Sequence, residues 1–168
     1  NFSASGGISH FPTENFVVKF NLASGFRAPS VPELASNGTH EGSNRYEYGD
    51  QNLDSEKSLQ ADFGIEANSE HLSVTGNVFY NQINDFIFIR KLSGSNGSDS
   101  LVDVDGELVP AFQFGQNNAS LTGFEFMIDL HPHPFDWLHW QNMLSFVKGQ
   151  FHNSIEGTRN IPLMPATR

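Results

Sequence analysis

Cysteine is absent from the 168 residues, which excludes disulfides, thiolate nucleophiles and Cys-ligated zinc. Basic residues are scarce: 9 Lys plus Arg against 19 Asp plus Glu leave a formal charge of −10. That balance speaks against a nucleic-acid partner, because phosphate binding needs a basic face. Charged residues reach only 17 %, and no apolar run approaches the roughly 18 residues of a membrane-spanning helix. Asn1-Phe2-Ser3 shows neither an initiator Met nor a signal-peptide pattern, so the chain is expected to be a piece of something longer. At 38 %, hydrophobic residues fall below the usual share of a soluble globular domain.

Phenylalanine is what the sequence has in excess. Its 16 copies outweigh 2 Trp and 3 Tyr, a ring content no disordered chain carries. With 15 Gly and many Asn and Ser, the composition points to strands joined by turn-rich loops, so the expected fold class is all-β. Period-two alternation supports it. In LQADFGIEA (59 to 67), Leu59, Ala61, Phe63, Ile65 and Ala67 share one face and Gln60, Asp62, Gly64 and Glu66 the other. In LTGFEFMIDL (121 to 130), Phe124, Phe126, Ile128 and Leu130 oppose Gly123, Glu125, Met127 and Asp129. Leu72, Val74, Gly76, Val78 and Tyr80 open a long strand that continues past Asp85 to about Lys91. Segments 137 to 147 and 15 to 24 alternate in the same way, and FSASGGIS at the start reads as a sixth strand.

The connections alternate in length. Short turns are expected at 11 to 15, 68 to 71 and 131 to 136, and long polar loops at about 26 to 55, 92 to 120 and from 149 onward. Strand, short turn, strand, long loop is the rhythm of an antiparallel up-and-down transmembrane β-barrel, with short periplasmic turns and long outer loops. Inside the middle loop, Asp105-Gly106 between alternating Val and Leu signals a type I′ hairpin over 101 to 109.

Enzyme and metal motifs fail when tested. HEGSN (40 to 44) has Asn44 where a zincin needs its second His, and DVDG places Leu101 and Phe112 at the terminal EF-hand ligand positions. No GxSxG, Walker A or GxGxxG run is present, so no catalytic residue, cofactor or metal ligand is assigned. His131, His133 and His139 are close in sequence, but His131 and His133 alternate with prolines in an expected short turn and read as solvated. The sequons at Asn37 and Asn96 would carry no weight if the barrel rhythm means a bacterial outer-membrane protein. RYEYGD (45 to 50) is the loop best suited to a polar, aromatic-bearing small ligand such as a metal chelate: Arg45, Tyr46 and Tyr48 are candidate contacts, or else the rings simply pack on neighbours.

GFRAPSVPEL (25 to 34), followed after a loop by GDQNLDSEKS (49 to 58), resembles the β-barrel domain of TonB-dependent outer-membrane receptors. In that family a strand ends in a GFRAPS-like run and a GNPNLKPEKS-like run opens the next. Here Gln51-Asn52 and Asp54-Ser55 depart from the second pattern. TGFEFMIDLHPHPFDWLHWQNMLSF (122 to 146) is similar to the family's Gly-initiated strand, Pro-containing turn and Asp-Trp-Leu start, and NIPLMPATR (160 to 168) to the Pro-rich lead into a further strand. Pro29 and Pro32 would end pairing at the rim, Gly25 would allow a bend, and Asp136-Trp137 would set a polar turn and an interfacial indole. Arg27 is either a ligand contact at the barrel mouth or a rim residue paired with a loop carboxylate.

The resemblance implies transport, not catalysis. It implies six to seven strands of a barrel of about 22, whose plug domain lies outside this chain, so that residues 1 to 168 form a partial barrel domain. The expected partners are the TonB complex through that plug, a small ligand such as an iron-siderophore, and the lipid of the bacterial outer membrane. The alternative is a soluble or cell-surface β-sandwich, whose apolar faces would pack on each other instead of meeting lipid.

Overall fold

The alternating segments become the long strands of one sheet. The computed structural model describes residues 2–40, 42–94, 97–135, 137–162 and 164. In chain order these form β1 (Ala4–Thr13), β2 (Phe16–Arg27), the short helix α1 (Val31–Ala35), β3 (Asn37–His40), β4 (Arg45–Tyr48), β5 (Glu56–Asn68), β6 (Leu72–Lys91), β7 (Leu101–Val104), β8 (Glu107–Leu130), β9 (Trp140–Ile155) and β10 (Thr158–Asn160). The six long strands pair antiparallel in the order β1, β2, β5, β6, β8, β9. All ten strands join a single sheet, which this chain does not close, and no second sheet lies against it among the described residues. The sandwich alternative is thereby corrected: one layer leaves its apolar face uncovered.

Register makes that face continuous. Ile8, Phe20, Phe63, Val78, Phe124 and Phe146 stand opposite one another in one row across six strands. Phe63 keeps 47 % and Val78 51 % of its surface exposed. A row of this kind is stable only beside an apolar neighbour, as on the lipid band of a barrel. The alternate positions are polar: Asn21 pairs Asp62 in register, and Asn77 pairs Glu125, which pairs Ser145. Lys19 Nζ donates to Glu66 Oε1 on this face. Phe79 also stands on this face and lies over Gly123, where a Cβ would come within 2.6 Å of the ring and 2.5 Å of the Phe146 carbonyl oxygen.

Several boundaries differ from the sequence expectation. The first strand runs on to Thr13, leaving only Glu14 and Asn15 in the turn, and Gly25 stays in register with Ser58 instead of bending the chain. The last long strand starts at Trp140, not Trp137, and continues to Ile155 through residues expected to be loop. The middle loop is mostly strand: β8 begins at Glu107, and the upper part of β6 zips against residues 112–117. Gln and Asn are too abundant in 113–118 for alternation to reveal that strand, and only its partner specifies it. The Asp105-Gly106 hairpin forms as expected, with φ of 55° and 88°.

Asp85, at φ 57°, sits in a bulge where the register slips between Ile83 and Phe86. The slip turns Phe86 and Phe88 onto the polar face. There they join Ala119, Phe151 and Ile161, with Ile155 and Met164 alongside, in the buried core at the long-loop end. Phe88 and Phe151 centroids are 4.7 Å apart. At the opposite end, His71 meets His133 edge-on at 5.0 Å and His131 stacks on His139 at 5.9 Å. Glu41, Asn96, Asp136 and most of 163 to 168 lie outside the described residues.

Candidate ligand-binding site at the long-loop rim

The rim is organised by one arginine. Arg27 ends β2 directly opposite Glu56 at the start of β5. Its Nε and Nη2 donate to Glu56 Oε2 and Oε1, both at 2.8 Å, while Nη1 donates to both oxygens of Glu33 at 3.0 and 2.9 Å. The Glu56 pair is the two-nitrogen fork that planar guanidinium offers a carboxylate, while Glu33 shares the single Nη1 between its two oxygens. Glu56 Oε1 also accepts the Ile87 backbone N–H at 2.7 Å, just beyond the Asp85 bulge. Three strands and α1 therefore meet at this guanidinium.

The helix is held from both ends. Ser30 and Glu33 have the spacing of a capping box, and the Ser30 N–H donates to Glu33 Oε2 at 2.7 Å. Burial alone would raise the Glu33 carboxyl, but hydrogen bonds from Arg27 and from the Ser30 backbone and side chain hold it below its ordinary value. Past the helix, Gly49 donates to the Ser36 carbonyl at 2.7 Å and Asp50 to the Glu33 carbonyl at 2.9 Å. A Cβ on Gly49 would meet the backbone of Leu34 to Ser36 within 2.7 Å, so only glycine permits this return. Gln116 closes the loop, accepting from the Asp54 N–H at 2.8 Å and donating to the Asp54 and Asp85 carbonyls.

Between these anchors, β3 and β4 form a hairpin, and β4 lies parallel to β8, Tyr46 opposite Ala111 and Tyr48 opposite Gln113. The loop from β2 thus reaches past β5 and β6 to pair with β8. Tyr46 and Tyr48 share the face that continues, along β8, to Gly123 and Glu125, the polar face of the sheet. Their rings are 5.0 Å apart, and the Tyr46 hydroxyl donates to Asn37 Oδ1 at 3.1 Å. Arg45 and Glu47 take the other face: Arg45 Nε donates to the buried Glu47 at 2.6 Å, and its guanidinium lies over the Phe112 ring.

Of the four candidate contacts, the structure brings Tyr46 and Tyr48 together, turns Arg45 away from them and sets Arg27 in a separate carboxylate clamp. Beside Tyr48 an open cleft of ≈540 Å³ lies between the end of α1, the 49–52 turn and Gln113. Sequence reading missed Glu33, Glu56, Gln113 and Gln116. For Glu33 the signal was available in the Ser30-x-x-Glu33 spacing; for the others it was not, since they are defined by partners remote in sequence.

The family described as TonB dependent receptor-like, beta-barrel, matches residues 1–163. The chain belongs to the TonB-dependent receptors. Solved structures agree on the fold. The copper transporter OprC superposes with a TM-score of 0.73 at 18 % identity, covering 98 % of this chain and 22 % of that one. The siderophore receptor PirA from Pseudomonas aeruginosa gives 0.64 at 23 %, covering 89 % and 25 %. The ferric enterobactin receptor PfeA from Pseudomonas aeruginosa, solved as a mutant in complex with enterobactin, gives 0.60 at 25 %, covering 88 % and 22 %. The chain spans no more than a quarter of the length of these receptors. Comparison with curated proteins finds no match. Receptors of this family are outer-membrane β-barrels that serve transport, not catalysis.

Proposed function

We propose that this chain is part of an outer-membrane receptor that imports a scarce ligand, an iron-siderophore or similar small cargo, with energy supplied through TonB. The reading rests on family membership and on one observation: the long loop after β2 is pinned across the sheet so that Tyr46 and Tyr48 stand on its polar face, which this reading takes as the lumen side. Tyrosines offer a flat surface with a hydrogen-bonding tip at small entropic cost. We place these two in contact with cargo. Arg27 and Arg45, both already paired with carboxylates, hold the loop in place.

In this reading the TonB complex acts through a plug domain carried elsewhere in the full protein, and lipid surrounds the Phe63 row. The full-length gene product tests it first: upstream sequence without a plug domain would defeat the transport reading. Growth of a deletion strain, with and without the restored gene, on iron, cobalamin and glycan sources then identifies the cargo.

A further inference from the structure

The lining of the rim cleft has a definite chemistry. Ser36, Asn37, Tyr48, Asp50, Gln51, Asn52 and Gln113 supply its polar side chains, and no Lys, Arg or His takes part. Nearby guanidinium groups are occupied: Arg27 by Glu33 and Glu56, Arg45 by Glu47. Three of the lining side chains, Tyr48, Gln51 and Gln113, have no side-chain hydrogen-bond partner among the described residues. Asp50 is half used, its Oδ1 accepting from the Asn52 backbone and side-chain N–H at 2.9 and 3.1 Å.

An anionic ligand would find no cation here and would face a loop of net negative charge. A metal ion would find a single carboxylate; among the described residues no three His, Asp or Glu groups are arranged to hold one. Planar amides, one carboxylate and an aromatic ring suit an uncharged partner with many hydroxyls. Amides donate and accept side by side, as adjacent hydroxyls require, and the ring covers an apolar C–H face.

We infer that this cleft is a subsite for a neutral sugar ring. The inference rests on the import reading and narrows its cargo: the sugar arrives as a free oligosaccharide or as the glycosyl part of a larger cargo.

The test uses the full-length receptor in detergent, titrated with maltotriose, cellotriose and N,N′-diacetylchitobiose, and with a glucosylated and an unglucosylated ferric tris-catecholate. Saturable binding of a neutral oligosaccharide, weakened about three- to tenfold by Tyr48→Ala or Gln113→Ala, supports a free-sugar source. Tighter binding of the glucosylated than the unglucosylated chelate, with the preference lost in the same variants, supports the conjugated source. No sugar binding up to millimolar concentrations together with no glucosyl preference overturns the subsite, as does sugar binding untouched by both variants. Unchanged circular dichroism and melting temperature guard against a folding artefact, and Tyr48→Phe, which keeps the ring, should retain most of the affinity. TonB-dependent uptake of any cargo without sugar binding would sink this inference alone; uptake indifferent to TonB would sink the import reading.

Discussion

Arg27 and Glu56 face each other across β2 and β5 in a forked pair with both N···O distances at 2.8 Å, although 29 residues of chain separate them. The pair joins the end of one motif to the start of the next, and Glu33 makes the same arginine the anchor of α1. Removing Arg27 would leave two carboxylates, whose side chains are only 15 % and 12 % exposed, without a counter-charge. Arg27→Ala should cost about 1–3 kcal/mol, felt first as opening of residues 28–55. Limited proteolysis of the full-length receptor should show new cleavage in that loop while the barrel strands stay protected. Unchanged loop protection would refute the anchor role.

Glu33 makes the loop sensitive to acid. Its carboxyl titrates below the ordinary 4.5, so it is charged more readily in the folded loop than in the open one. The stabilisation is therefore fully present above about pH 4.5 and fades as pH falls through the lower, folded value. Hydrogen-exchange protection factors of residues 28–55, corrected for the intrinsic rate at each pH, should fall over that acidic window and be flat from pH 6 to 8. Glu33→Gln should remove the part of the acid dependence that Glu33 contributes.

The two faces of β5 give a sharper contrast. Phe63 stands in the apolar row between Phe20 and Val78, while its neighbour Asp62 accepts from Gln60 on the polar face at 2.7 Å. Phe63→Lys should cost about 2–4 kcal/mol in the assembled barrel, and Asp62→Lys close to nothing. Reversible unfolding of the full-length receptor in lipid vesicles measures both, and equal costs would reverse the assignment of faces.

Gly123 carries the Phe79 ring. A methyl group there would collide with both the ring and the Phe146 carbonyl. Gly123→Ala should destabilise by about 1–3 kcal/mol. Adding Phe79→Ala should not restore full stability, because the clash with the Phe146 backbone remains. Complete rescue would show that the ring alone sets the requirement.

Much of the sheet was legible because β5, the lower part of β6 and residues 121–130 alternate plainly, and period two has only one reading there. The strand at 107–120 was not, since Gln113, Gln116, Asn117 and Asn118 are polar on both faces and become strand only by pairing with the upper part of β6. Parity in β6 switches at Asp85: the face held by Val78 and Tyr80 before it is held by Ile87 and Ile89 after it, opposite Gln116 and Phe114, and a bulge is the physical reason. At the rim, RYEYGD pointed to the two tyrosines but not to their facing. That depended on β4 pairing with Ala111 and Gln113, a contact no local pattern encodes.

The most direct test of the import reading is accumulation of labelled cargo by intact cells carrying the full-length receptor, with TonB present and with TonB removed. The expected result is uptake above the external concentration that collapses without TonB while surface binding persists. Uptake that only equilibrates with the medium, and does so equally in both strains, would mean a passive channel and contradict it.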